Sequence, residues 1–410
     1  MTKLLVISRS RPEIDVAALF KIHEFSVVPR SLFDQTGIPW ECTNKSDCLH
    51  GLKDLVKNDE QNVAAVIRLY DCLVIDGMGH VNRLKITSQT ATIRDLALSF
   101  CSRVRGMLKD ARTVVLIFDS YSDSTENLKT NNWSNRHKGQ IRYKLSDRTV
   151  LKNIKMKDLL SHPQNKKAIT VIFGEIFCSK FSSFQYVVAY GFTVFSNIHE
   201  WEISNHNHFE ADTLLLGCIK EILNLQNASS FKIVSPDTDV LVLSVHFLAS
   251  NNIQSPILFE LTTSSGNILV SVNAIVGQLG IEKANALLGF HVLTGCDYIG
   301  SYRGVTKDRS LKTFIQLSSD QSQSIDALSS LGTSEILSQI TIGGLTRFVI
   351  RIYCSKKKEL DHYYKDLSDI GQLRWFLYSK HQTDGELLPP TPSALKFKLL
   401  RRNFIALVWK

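Results

Sequence analysis

Two pairs of acids, each separated by one residue, stand out: Glu210 and Asp212 in "HFEADTLLL", and Asp237 and Asp239 in "SPDTDVLVL". Each pair opens an apolar run, where buried charge is costly. Three single aspartates sit similarly: Asp76 closes "CLVID", Asp119 closes "TVVLIFD", and Asp297 follows "LLGFHVLTGC". In a parallel α/β sheet, groups just beyond the C-terminal strand ends converge on one crevice. Carboxylates gathered there cannot all stay ionised unaided, so either their pKa values rise or cations neutralise them. An oxygen donor set without Cys or His favours Mg²⁺ or Mn²⁺. Two such ions about 4 Å apart can activate water and stabilise the leaving oxygen of a phosphodiester.

A plainer reading stands beside this one. A strand-end Asp often caps the next helix, Glu210 suits a helix dipole, and "SPDTD" reads as a Pro-initiated turn. Caps do not usually come as two acid-x-acid pairs with three further Asp at equivalent places. "HNHF", with His206 and His208 before Glu210, lacks the spacing of the usual zinc motifs and reads as a polar loop.

Charge placement adds a partner. Between Lys129 and Lys167 there are eleven Lys/Arg against Asp147 and Asp158, and the resulting +9 equals the net charge of the whole chain. The window also holds Trp133 and Tyr143, so both phosphate neutralisation and base stacking are available. A solvated basic face is the bland alternative. Beside a carboxylate cup, nucleic acid is the ligand this window suits, with Lys129, Arg136, Lys138, Arg142 and Lys144 as its contacts.

The elements that must position these residues are visible as alternating apolar runs. Strands are predicted at 72–77, 113–119, 185–191 and 231–237, with "PILFEL" and "NILVSV" forming a hairpin around "TTSSG". Helices are predicted at 92–110, at the starts of the two acid-x-acid runs, and at 281–293; "MKDLLSHPQNKKAITVIFGEIF" is expected to split near Pro163. The pattern is that of an α/β fold with a largely parallel central sheet flanked by helices. Residues 1–70 are poorly patterned and read as an accessory or incomplete region, and 321–410 as a helical, basic C-terminal region ending in "LKFKLLRRNFIALVWK".

Composition excludes other classes. The chain of 410 residues is 44% hydrophobic, yet no apolar run approaches a membrane span, and the N-terminus lacks a signal peptide's apolar stretch. Eight scattered cysteines form no CxxC pair, which fits a reducing compartment, nuclear or cytoplasmic. "IGGLTR" lacks the spacing of a nucleotide-binding phosphate loop, so no nucleotide cofactor is expected, and serine-elbow signatures are missing.

Together, the Asp-terminated strands, "EAD", "SPDTDVLVL" and "GCDYIGSYRGVTK" resemble the flap endonuclease/XPG-like group of the PIN-like nuclease superfamily. The resemblance covers roughly 71–320 and implies a PIN-like fold with a basic arch-like insert at about 125–167. It implies a metal-dependent, structure-selective nuclease acting on DNA or RNA, DNA being the first expectation, with catalytic Asp76, Asp119, Glu210, Asp212, Asp237, Asp239 and Asp297. All but Asp119 would ligate two ions. The "GCDY" segment, which grips duplex backbone in that group, adds Arg303 and Lys307. The sequence departs from the pattern at Asp212, where the group carries Glu, and at Thr306, where it carries Gly; no Pro follows, and Lys307 falls one place early. "EADT", "SPDTDVLVL" and "GCD" also resemble an uncharacterised animal set, some of whose members are linked to mobile elements. A nuclease-derived chain that binds nucleic acid or protein without cleaving is the alternative.

Overall fold

The computed structural model describes residues 2–42, 46–57, 70–121, 141–263, 266–355, 367 and 369–410. Lys129, Trp133, Arg136 and Lys138 therefore lie outside the described residues. The chain divides into two compact units, Val56–Ile275 and Met1–Leu55 with Val276–Lys410.

The first of these units is built on a seven-stranded sheet. Its strands are β1 (Cys72–Asp76), β2 (Thr113–Ile117), β3 (Gln185–Tyr190), β4 (Thr193–Ser196), β5 (Phe231–Ser235), β6 (Ile257–Thr263) and β7 (Gly266–Ser271). The order is β4-β3-β2-β1-β5-β6-β7. The five central strands run parallel, and each edge is closed by an antiparallel hairpin, β3–β4 and β6–β7. This bears out the mixed α/β, largely parallel architecture read from the sequence.

Strands β1, β2 and β5 are buried at every residue, as expected of strands covered on both faces. Leu73, Ile75, Val114 and Leu116 join Phe100, Val104, Ile169 and Phe173 from helices Ile93–Leu108 and Pro163–Lys180 in one core. The alternate positions face the other way: the Cys72 thiol senses Cys218 of helix Ala211–Asn224. Thr92 and Asp95 form a capping box that fixes the start of Ile93–Leu108. The expected break before Pro163 is present, with a single turn at Met156–Leu159 and Pro163 in the first turn of the longer helix.

β1 has β2 on one side and β5 on the other, so the sheet's direction of growth reverses at β1. Such a switch point opens a crevice beyond the carboxyl ends of the strands. The register sets Asp76 beside Ile117 and Ile75 beside Val234. Asp76, Asp119 and Asp237 consequently leave the sheet from the same end.

The second unit contains only helices as regular elements among its described residues. Residues 1–55, weakly patterned in sequence, supply three short helices, Thr2–Ser10, Val16–Ile22 and Ser46–Leu55. Phe20 packs on Trp375 and Tyr378 of helix Ile370–His381, so N- and C-terminal segments share this unit's core. Helix Ile281–Thr294 lies tightly against Ser322–Ser330: any Cβ at Gly289 would collide with the Leu328 carbonyl. Among the described residues, no helix is long and apolar enough to cross a membrane.

Candidate functional site

Asp76 ends β1 and is buried. Its Oδ1 accepts from Gly79 N at 3.1 Å, capping the short helix Gly77–Val81, and its Oδ2 accepts from Ser235 Oγ at 3.0 Å. Burial pushes its carboxyl pKa up to about 7; the Asp119 charge adds to the rise, and the two hydrogen bonds oppose it. Ser235 also accepts from Asp237 N at 3.0 Å. One hydroxyl thus joins the ends of β1 and β5.

Asp119 lies two residues beyond β2. Its Oδ1 accepts from Ala211 N at 3.0 Å, and its Oδ2 accepts from Tyr121 OH at 3.4 Å. Ser120 N donates to Phe209 O at 2.9 Å, and Ser120 Oγ donates to Gly191 O. These bonds pin the start of helix Ala211–Asn224 to the end of β2, carrying Glu210 and Asp212 with it. Glu210 holds the N-cap position without a side-chain capping bond. Asp212 is buried in the first turn, and its pKa is driven well above the carboxylate range by burial, then by Asp237, Glu210, Asp76 and Asp239.

Asp237 caps helix Thr238–Ser250 by accepting from Asp239 N at 2.9 Å. Asp239 is buried, and the two residues offer carboxylate oxygens within 4.8 Å of each other. Capping and clustering therefore coexist at Asp76 and Asp237. The charges acting on Asp212 are all carboxylates, and Tyr121 senses Asp119, Asp76 and Glu210 after its own burial. Six acids from three strand ends and two helix starts share one anionic region of this unit.

That donor set fits a hard divalent cation. It is oxygen-only, partly buried and mutually repulsive, and a dication offsets the burial and the repulsion that together raise the pKa of Asp76 and Asp212. One ring nitrogen of each neighbouring histidine is engaged: His208 Nδ1 lies 2.7 Å from Thr213 Oγ1, and His206 Nδ1 accepts from His208 N. Burial lowers the pKa of both, that of His206 to about 4.

The remaining expected residues lie on other elements. Asp297 belongs to the helical unit and is exposed in the turn closed by Cys296 and Ile299. Arg142 and Lys144 are exposed on an extended segment, fastened by buried Asn165, which accepts from Tyr143 N and donates to Ile141 O, both at 2.9 Å. Arg303 lies over Trp40, 4.1 Å from the ring centroid, and 3.8 Å from Glu386. Lys307 is buried, its ammonium donating to His291 O at 2.8 Å and Gly295 O at 2.7 Å. This cation serves carbonyls at a helix C-terminus.

Sequence reasoning passed over Ser235, Ser120, Tyr121 and Gly79. A Cβ at Gly79 would collide with the Pro236 ring and sit 3.3 Å from Asp76 Oδ2. Gly79→Ala must therefore displace Pro236, and Asp237 with it. It is expected to weaken Mn²⁺ binding about 10-fold, read by calorimetry, as does loss of a supporting contact behind a ligand. Unchanged affinity would separate the Pro236 turn from the site.

No protein-family model matches the chain, and neither does any curated protein. Among solved structures, the chain is similar to the catalytic core of Rad2 in complex with DNA substrate. For complex II the identity is 14% and the TM-score 0.34, over 80% of this chain and 93% of that one. For complex III the values are 14% and 0.35, over 82% and 94%. The functional reading rests on this chain's own carboxylates.

Proposed function

We propose that the chain is a divalent-metal-dependent, structure-selective nuclease of the flap endonuclease-like type, hydrolysing phosphodiester bonds in DNA or RNA. The supporting observation is the gathering of Asp76, Asp119, Glu210, Asp212, Asp237 and Asp239 at the switch point of the sheet. On this reading residues 71–320 form the nuclease region, with a basic insert at about 125–167, while 1–70 and 321–410 are accessory.

Asp76, Glu210, Asp212, Asp237 and Asp239 would hold two Mg²⁺ or Mn²⁺ ions, with Asp297 added by the "GCDY" resemblance. Bound ions supply neutralisation of phosphate charge and activation of water. Asp119 orients the Glu210–Asp212 turn through Ala211 N. Ser235 fixes Asp76 and Asp237 as a pair. Exposed Arg142 and Lys144 would hold the sugar–phosphate backbone, together with Lys129, Arg136 and Lys138 of the same basic stretch. Arg303 and Lys307 complete the assigned contacts; Lys307 would act by holding the turn before its helix, because its ammonium is already bonded to carbonyls.

The test uses labelled 5′-flap DNA, single-stranded DNA and single-stranded RNA with the purified chain. Cleavage is expected with Mg²⁺ or Mn²⁺ and none with EDTA, fastest on the flap. Cleavage that survives EDTA would overturn the metal-dependent mechanism. Binding of these substrates without cleavage under either metal would leave the non-catalytic alternative.

A further inference from the structure

The last helix, Pro392–Trp409, buries Leu395, Leu399, Arg402, Ile405, Ala406 and Trp409. Its opposite side is unusually apolar: Phe397 is 72% exposed, Leu400 40%, Phe404 53% and Val408 51%. Their spacing of three, four and four residues makes one continuous stripe, about 17 Å long at 1.5 Å per residue. Solvated helix faces normally carry polar residues, so a stripe of this kind marks an interaction surface.

Two features of the same unit say what fits it. Residues 392–410 contain no Asp or Glu, while Lys396 and Arg401 are exposed along the helix. Beside its first half lies a cavity of about 360 Å³, lined by Leu32, Phe33, Ile299, Phe397, Lys398 and Arg401. A concave apolar pocket continuous with an apolar stripe at Phe397 accepts a discrete anchoring side chain, with cations at its edge.

We infer that this face docks an acidic amphipathic peptide helix, its apolar residues on the Phe397–Leu400–Phe404–Val408 stripe and one anchor in the pocket. The mode is the helix-in-groove arrangement, in which anchors recur every three or four residues. Carboxylates on the peptide meet Lys396 and Arg401. A second copy of the chain fits less well, because a symmetric contact would set each basic face against another. A lipid surface has no use for the discrete pocket.

The experiment is selection of random phage-displayed peptides on the full chain, followed by fluorescence anisotropy with the enriched sequence as a synthetic peptide. Enriched sequences are expected to combine Asp/Glu with apolar residues at i, i+3 or i+4, and i+7. Phe404→Asp should weaken binding at least about 10-fold, as for a central interface anchor. Arg401→Glu should weaken it and flatten its salt dependence. Both sites are exposed, and unchanged circular dichroism and thermal midpoint would show that the fold is kept. No enrichment, enrichment of basic or uncharged peptides, or binding that survives both variants would overturn the inference. So would concentration-dependent dimerisation, or binding to phosphatidylserine vesicles, that Phe404→Asp abolishes while no peptide binds.

Discussion

Asp237→Asn combined with Asp239→Asn is expected to lower divalent-dependent cleavage at least about 10³-fold, roughly 4 kcal/mol of barrier, while raising the thermal midpoint of the metal-free chain. The two effects have one cause. Both carboxylates act on buried Asp212, and their own oxygens lie within 4.8 Å of each other. Without cations this is repulsion that folding must overcome; with them it is the binding energy of the site. Asparagine has nearly the shape of Asp and remains a good N-cap, so Asp239 N keeps its acceptor at position 237. What disappears is charge. Wild type should therefore gain thermal stability on addition of Mn²⁺, and the double variant should not. If the acids were only caps, the variant would cleave as fast as wild type and be no more stable without metal. Cleavage assays and thermal scans in EDTA and Mn²⁺ decide between them.

The sheet was legible because β1, β2 and β5 are buried on both faces, leaving near-continuous runs such as "TVVLI" that only a covered strand tolerates. β4 was not: four residues, "TVFS", with one buried position carry no such signal, and its pairing with β3 comes from the turn at Gly191, where φ is +61°. The helices of 7 to 10 residues before residue 56 were equally silent, because their stabilisation is tertiary, as in the stacking of Phe20 on Tyr378.

At the site, the acids could be read from residue type and spacing, and their supports could not. Ser235 looked like the first residue of a turn, yet it bridges two carboxylate-bearing strand ends. Gly79 carries no signal in the sequence, because its need for a bare Cα comes from the Pro236 ring packed against it. Lys307 shows the limit for charge: the "GCDY" resemblance makes it a backbone contact, but its ammonium points inward to two carbonyls. Residue type gives the sign of a charge, whereas its direction is set by which unpaired carbonyls lie nearby.

The second large effect concerns Asp76 and pH. Its carboxyl ordinarily titrates near 3.8, and burial in the fold raises it to about 7. Between these values the folded chain holds a proton that the unfolded chain has released. Metal-free stability should therefore fall as pH rises through the folded pKa, and the full penalty, on the order of a few kcal/mol, is present above it. Asp212 is shifted in the same direction, so Asp76→Asn should reduce the slope of unfolding free energy between about pH 4 and 7, and adding Asp212→Asn should reduce it further. At the alkaline end Asp76→Asn should be more stable than wild type, because the amide is neutral, its oxygen can still accept from Gly79 N, and its NH₂ can donate to Ser235 Oγ. Divalent cation should reverse the ranking: wild type gains stability at pH 8, where the carboxylates are ionised, and the variant does not. Urea unfolding in EDTA and in Mn²⁺ from about pH 4 to 8 is the measurement. A wild type with no pH slope in EDTA, or an Asn variant less stable than it at pH 8, would mean that Asp76 is held ionised by its hydrogen bonds and does not carry the repulsion that a metal ion would relieve.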